Sequence, residues 1–202
     1  ISYTPYSGGE MTGWGAHSLD MIQWGLGMSQ SGPVEVWPEA FAKGELSFQG
    51  RALTGDNPWP EAAQLACPVV FRYANGITIQ LDGKGPAGGG MFVGSEARMN
   101  ITRGVYELRR NGQKSSSPVR EPADRNDTKE HLRNWLDCIR TRTAPNAEME
   151  IGHRSVTLCH LGNIARWTGR KLTWDPKAEQ FVNDPEANTY LKRVQRKGFE
   201  TV

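Results

Sequence analysis

Between Val69 and Leu81 apolar side chains alternate on both sides of Asn75-Gly76. That pattern commits the segment to an antiparallel hairpin with one apolar face. Two registers compete. A two-residue type I′ turn at Asn75-Gly76 would pair Phe71 with Gln80. A three-residue loop, Ala74-Asn75-Gly76 with Gly76 at positive φ, pairs Tyr73 with Ile77, Phe71 with Ile79 and Val69 with Leu81. Only the second puts all six apolar side chains on one face, and it is the register expected. A face of that kind has to be covered.

The surrounding chain supplies more strands and the helices to cover them. Val34 to Trp37 reads as a short strand stopped by Pro38, and alternation at Ala97, Met99, Ile101 and around Val105 to Leu108 adds two more. Gly13 to Gly27 has helical spacing, with His17, Met21 and Trp24 on one face and Gly25 and Gly27 at its end. A second helix starts at Asp127, which can cap it while Glu130 reaches back. Its Leu132, Trp135, Leu136 and Ile139 read as a core stripe, with Pro145 beyond its end. A third spans about Gly152 to Trp167 and closes on Gly169 as a left-handed residue, before an extended Lys171 to Trp174. The tail from Asn183 to Val202 is polar and either wraps the body or stays loose. Successive strands flanked by helices imply an α+β fold: an open, mainly antiparallel sheet with helices packed on one face. Tryptophans at these spacings are expected in the core, Trp14 excepted.

Length and charge narrow the function classes. The chain has 202 residues and a net charge of +2. Residues 1–100 carry 5 basic and 9 acidic side chains against 19 and 13 in residues 101–202. The basic excess is interleaved with acids, so neither nucleic acid nor a membrane surface is the expected partner. Cys67, Cys138 and Cys159 are odd in number and far apart, and read as free thiols. The chain opens on Ile1 and reads as part of something longer or processed.

Two motifs bear on chemistry. Gly83-Lys84-Gly85-Pro86-Ala87-Gly88 has the spacing of a dinucleotide fingerprint, but the strand-like Met91-Phe92-Val93 follows where that fingerprint needs a helix N-terminus. It is expected to be an inter-strand loop. No P-loop, H-E-x-x-H or G-x-S-x-G pattern occurs. The second motif is Gly8-Gly9-Glu10-Met11-Thr12-Gly13-Trp14-Gly15-Ala16-His17-Ser18-Leu19-Asp20. Positions 13, 17 and 20 share a helical face, so His17 and Asp20 project together beside a position with no side chain. An imidazole oriented by a carboxylate is general acid/base equipment, because imidazoles titrate near neutrality. His153 and His160, seven apart, also share a face, but nothing in the sequence makes them converge with His17 on a metal, and none is expected.

Gly8 to Trp24 resembles the G-G-x-x-x-D-x-G-x-H-x-x-D segment of the glucose-fructose oxidoreductase, inositol dehydrogenase and MocA family. Phe92-Val93-Gly94-Ser95-Glu96, Trp135-Leu136-Asp137-Cys138-Ile139-Arg140, Gly152-His153-Arg154-Ser155, Cys159 to Ala165 and Gly169 to Pro176 are similar to later landmarks of one branch, in the same order. The resemblance implies a C-terminal substrate and oligomerisation domain over residues 1–182, with 183–202 as its tail. In such proteins a preceding Rossmann domain binds NAD or NADP, and the uncovered sheet face commonly packs on another subunit to make a homo-oligomer. It implies a sugar or polyol substrate, His17 as the catalytic residue, and Trp14, Asp20, His153 and His160 as substrate-binding residues. No cofactor-binding residue is expected here, and no tight NAD(P) binding. The family's E-K-P lysine has no counterpart, and Gly13 stands where the family has an aspartate. The same resemblance leaves two alternatives, a non-catalytic assembly or carbohydrate-binding module and an NAD-dependent glycosidase-like enzyme.

Overall fold

A computed structural model describes residues 8–39, 67–82, 88–102, 104–112, 119–120, 127–192 and 197–198. The chain begins with helix α1 (Glu10–Gly25), followed by strands β1 (Glu35–Pro38), β2 (Val69–Arg72) and β3 (Thr78–Leu81). Next come β4 (Gly90–Val93), β5 (Ala97–Thr102), β6 (Val105–Arg110) and β7 (Val119–Arg120). Helices α2 (Asp127–Thr141) and α3 (Met149–Thr168) lead to β8 (Leu172–Asp175), β9 (Gln180–Phe181) and the short α4 (Pro185–Thr189). Two compact units result: Ile1–Gln30 with Gly83–Cys159, and Ser31–Asp82 with His160–Val202.

The α+β class and the antiparallel pairing hold, and among the described residues the strands pair as two sheets where one was expected. One has the order β3-β2-β1-β8-β9, the other β4-β5-β6-β7. Alternation reports which face of a strand is apolar and carries no information about which strand it pairs with.

In the second unit the hairpin adopts the register that puts its apolar residues together. Val69 lies opposite Leu81 and Phe71 opposite Ile79, while Tyr73 N–H donates to the Ile77 carbonyl at 2.9 Å. Gly76 has φ +87°, a conformation that a side chain at this loop position would resist. Pairing of β1 with both β2 and β8 then aligns Ile79, Phe71, Val36 and Leu172 in one row across four strands. All four are buried, as are Leu161 and Ile164 of α3. On the opposite face Glu35 accepts from Arg72 and is bridged by Lys171 at 2.5 Å. The Lys171 Nζ and the Arg72 guanidinium stand 5.1 and 5.8 Å from the Trp37 ring.

Residues 184–190 are tied down through α4. Asp184 caps α4 by accepting from Ala187 N–H at 3.0 Å, and the Arg170 guanidinium grips both of its oxygens. Trp167 and Tyr190 pack with ring centroids 5.8 Å apart. Gly169, at φ +65°, closes α3 as expected, its N–H donating to the Ala165 carbonyl at 2.9 Å.

In the first unit α1 lies close on β4: a Cβ on Gly25 would stand 2.8 Å from Phe92, and one on Gly90 2.9 Å from Ile22. Helix α1 starts three residues before Gly13, and its buried residues are Met11, Leu19 and Gln23. Trp24 is exposed, contrary to the expectation of a core tryptophan. The same holds for α2, whose Leu132, Trp135, Leu136 and Ile139 are all exposed where a core stripe was expected. Helical periodicity identifies an amphipathic face; it does not say that the same chain covers it. The Asp127 side chain, Trp59 and Gly83 to Ala87 lie outside the described residues. The three cysteines are free. Burial pushes the Cys159 thiol up to about 12, which leaves it unreactive.

Two outcomes follow from this packing. Phe71→Ala should lower the unfolding free energy by about 3–5 kcal/mol in urea titrations, whereas Trp135→Ala should change it by less than about 1 kcal/mol. The Arg170 hydrogen bond holds the Asp184 carboxyl below its usual range. A depressed folded value makes the contribution of this bridge complete above the unfolded carboxylate value near about 4 and lost as pH falls below it. The near-UV circular dichroism of the Trp167–Tyr190 pair should therefore fade in that acid range, and Asp184→Asn should weaken it at neutral pH.

Candidate functional site

The first turn of α1 is set by its glycines. Gly9 has φ +68°, and a Cβ on Gly8 would meet the Thr12 side chain at 2.0 Å. The Thr12 hydroxyl uses that space, accepting from Gly8 N–H at 3.0 Å and donating to the Gly9 carbonyl at 3.1 Å. With the start fixed, the 3.6-residue period places Gly13, His17, Asp20 and Trp24 along one face.

That face forms one wall of an open cleft of about 440 Å³ within the first unit. His17, Asp20 and Trp24 line it from α1, Gly152 and Ser155 from the first turns of α3, and Asn146 from the turn before α3. Three hydrogen bonds pin the walls. Ser155 Oγ donates to Asp20 Oδ1 at 2.5 Å, Gln30 Nε2 donates to Glu148 Oε1 at 2.6 Å, and Asn146 N–H donates to Asn134 Oδ1 at 2.9 Å. Apolar surface comes from Trp24, whose ring is 73% exposed, and from Ile151 and Val156. A surface that joins an aromatic plane to a carboxylate, an imidazole and a hydroxyl suits a ligand with hydroxyls on its edge and C–H groups on its face.

Of the five expected site residues, His17 and Asp20 come together in the cleft. Trp14 does not line it; its ring packs on that of His17, centroids 6.0 Å apart and tilted 53°, and is 65% exposed. The aromatic wall is Trp24, one turn beyond Asp20 on the same face. His153 and His160 are exposed and are not among the lining residues. The step from Gly152 to His153 turns about 100° around the helix, away from the wall formed by 152, 155 and 156. Among the described residues Asp20 is bonded to Ser155 and not to His17, so the carboxylate does not orient the imidazole directly. Ser155 carried no local signal: a serine in mid-helix is neutral in propensity, and its partner lies 135 residues away. Gly13 leaves the second turn of α1 without a side chain one turn before His17.

Among the described residues no three or more His, Cys, Asp and Glu side chains group as a metal site. Gly88, at φ +65°, is followed by β4 rather than a helix, and a Cβ on Gly89 would fall 2.0 Å from the Ile101 carbonyl oxygen. The glycine there serves strand packing. No helix among the described residues is long and apolar enough to cross a membrane.

Residues 1–201 match the sequence model of a family described as "Oxidoreductase family, C-terminal alpha/beta domain". No curated protein and no solved structure matches the chain.

A Cβ at Gly152 would meet nothing within 4 Å. Gly152→Ala should therefore raise stability by up to about 1 kcal/mol through helix propensity alone, read from urea unfolding.

Proposed function

The chain belongs to the Gfo/Idh/MocA oxidoreductase family as its C-terminal domain, and on that premise we propose that the α1–α3 cleft holds the sugar or cyclitol substrate of an NAD(P)-dependent oxidoreductase. The observation that carries this reading is the convergence of His17, Asp20 and Trp24 on one cleft. Asp20 accepts a substrate hydroxyl, the Trp24 plane takes the C–H face of the ring, and His17 receives or returns the proton of a hydroxyl at its imidazole nitrogen. In this reading the nicotinamide cofactor is held by another domain, as the family resemblance implies.

Isothermal titration of the chain with myo-inositol and D-glucose tests the reading. Trp24→Ala should abolish measurable binding and Trp14→Ala should leave it within about twofold, because only the first removes a cleft wall. Equal loss from both variants, or from neither, contradicts it.

A second reading is a carbohydrate-binding or assembly module without catalysis, and Gly13 favours it. The position where the resemblance has an aspartate offers no group to share the proton with His17. The polar face of the five-stranded sheet, centred on the half-buried Trp37 between Lys171 and Arg72, is the surface proposed to meet a second copy. Aromatic and arginine side chains are enriched at such interfaces. Sedimentation velocity should find an oligomer that Trp37→Asp converts to monomer; a monomeric wild type contradicts the assignment of that face.

A further inference from the structure

Among the described residues four hydroxyl side chains on α2 and α3 make hydrogen bonds, and three of them bond back to their own helix. Thr141 donates to the Asp137 carbonyl at 2.9 Å, Thr157 to His153 at 2.7 Å and Thr168 to Ile164 at 2.9 Å. That is the ordinary outlet for a hydroxyl in a helix, since the carbonyl four residues back lies within reach. Ser155 departs from it. Its hydroxyl crosses to α1 and donates to Asp20 Oδ1 at 2.5 Å, at the short end of the O–H···O range. Ser155 is 5% exposed, whereas Asp20 is exposed to the cleft. The backbone beneath Ser155 is held as well, its carbonyl accepting from the Cys159 thiol at 3.5 Å.

We propose that Ser155 is the positioning residue of the cleft: it occupies one oxygen of Asp20 and thereby presents the other, in a fixed orientation, to a single hydroxyl of the polyol. A carboxylate can accept several hydrogen bonds through its two oxygens. With one oxygen committed to a buried donor on the opposite wall, the side chain loses its rotamer freedom before the ligand arrives, and the ordering cost no longer falls on binding. Gly152, one turn earlier on α3, keeps the approach open, since nothing lies within 4 Å of where its Cβ would be. The pair therefore divides the work on α3: an absent side chain admits the ligand and a buried hydroxyl orients the group that reads it.

The proposal rests on the reading of the cleft as the polyol site, and a double-mutant cycle separates the two. Binding of myo-inositol to the full chain is measured by isothermal titration for wild type, Ser155→Ala, Asp20→Ala and the double variant, with melting temperature as the check on folding. Ser155→Ala should weaken binding about tenfold, the scale of one hydrogen bond to a charged group, and should have no further effect in the Asp20→Ala background. Ser155→Thr, which keeps the hydroxyl, should restore binding to within about threefold. Wild-type affinity in Ser155→Ala, or an undiminished effect in the Asp20→Ala background, overturns the positioning role and leaves the cleft assignment standing. Failure of wild type to bind myo-inositol, D-glucose or other polyols overturns the cleft assignment and the proposal with it. Should Ser155→Ala not fold, the Ser155 hydroxyl proton of the wild type decides the matter by NMR. It should stay protected from exchange when myo-inositol is added; its release means that the Asp20 bond is given up on binding and overturns the proposal.

Discussion

The hydrogen bond from Ser155 on α3 to Asp20 on α1 closes a loop of 135 residues and ties the facing side chains of the two cleft walls together. Asp20 stands where it does because Gly8, Gly9 and Thr12 fix the first turn of α1, and every later position on that helix follows from the start. Ser155 stands where it does because α3 buries Leu158 and Cys159 on the same unit. Moving either helix by one residue would rotate its wall by about 100° and leave a carboxylate or a buried hydroxyl without its partner.

Glycine acts in three distinct ways in this chain. At Gly9 and Gly76 it supplies a positive φ that begins a helix or turns a hairpin. At Gly89 and Gly90 it lets β4 approach β5 and α1 closely. At Gly152 it leaves the cleft open. Letter spacing alone cannot separate these uses from a phosphate loop; what distinguishes them is the element that follows, and after Gly88 that element is a strand.

Local features were legible in the sequence and long-range ones were not. The register of the β2–β3 hairpin could be chosen beforehand because a slip of one residue moves apolar side chains to the other face. The C-terminal end of α3 is readable because Gly169 offers the left-handed closure that the last turn needs, whereas its start at Met149, three residues before the expected Gly152, carries no such mark. The division of the strands into two sheets was not, since pairing between distant strands leaves no mark on their alternation. The exposed Leu132 to Ile139 stripe shows the same limit from another side: amphipathic spacing is a property of the helix, and its cover is a property of whatever packs there. At the site, His17 and Asp20 were found through their i, i+3 spacing. Trp24 shares that face, and its exposure is decided by what packs there, while Ser155 stands in a landmark segment but gains its Asp20 partner only through the fold.

We propose above that the α1–α3 cleft holds a polyol. Chemical-shift mapping of the isotope-labelled chain during titration with myo-inositol tests it most directly. The account predicts saturable shifts confined to the backbone amides of residues 16–24 and 151–156 and to the Trp24 indole N–H. Saturable shifts centred on the five-stranded sheet, or on Trp14 with the cleft amides unmoved, would contradict it.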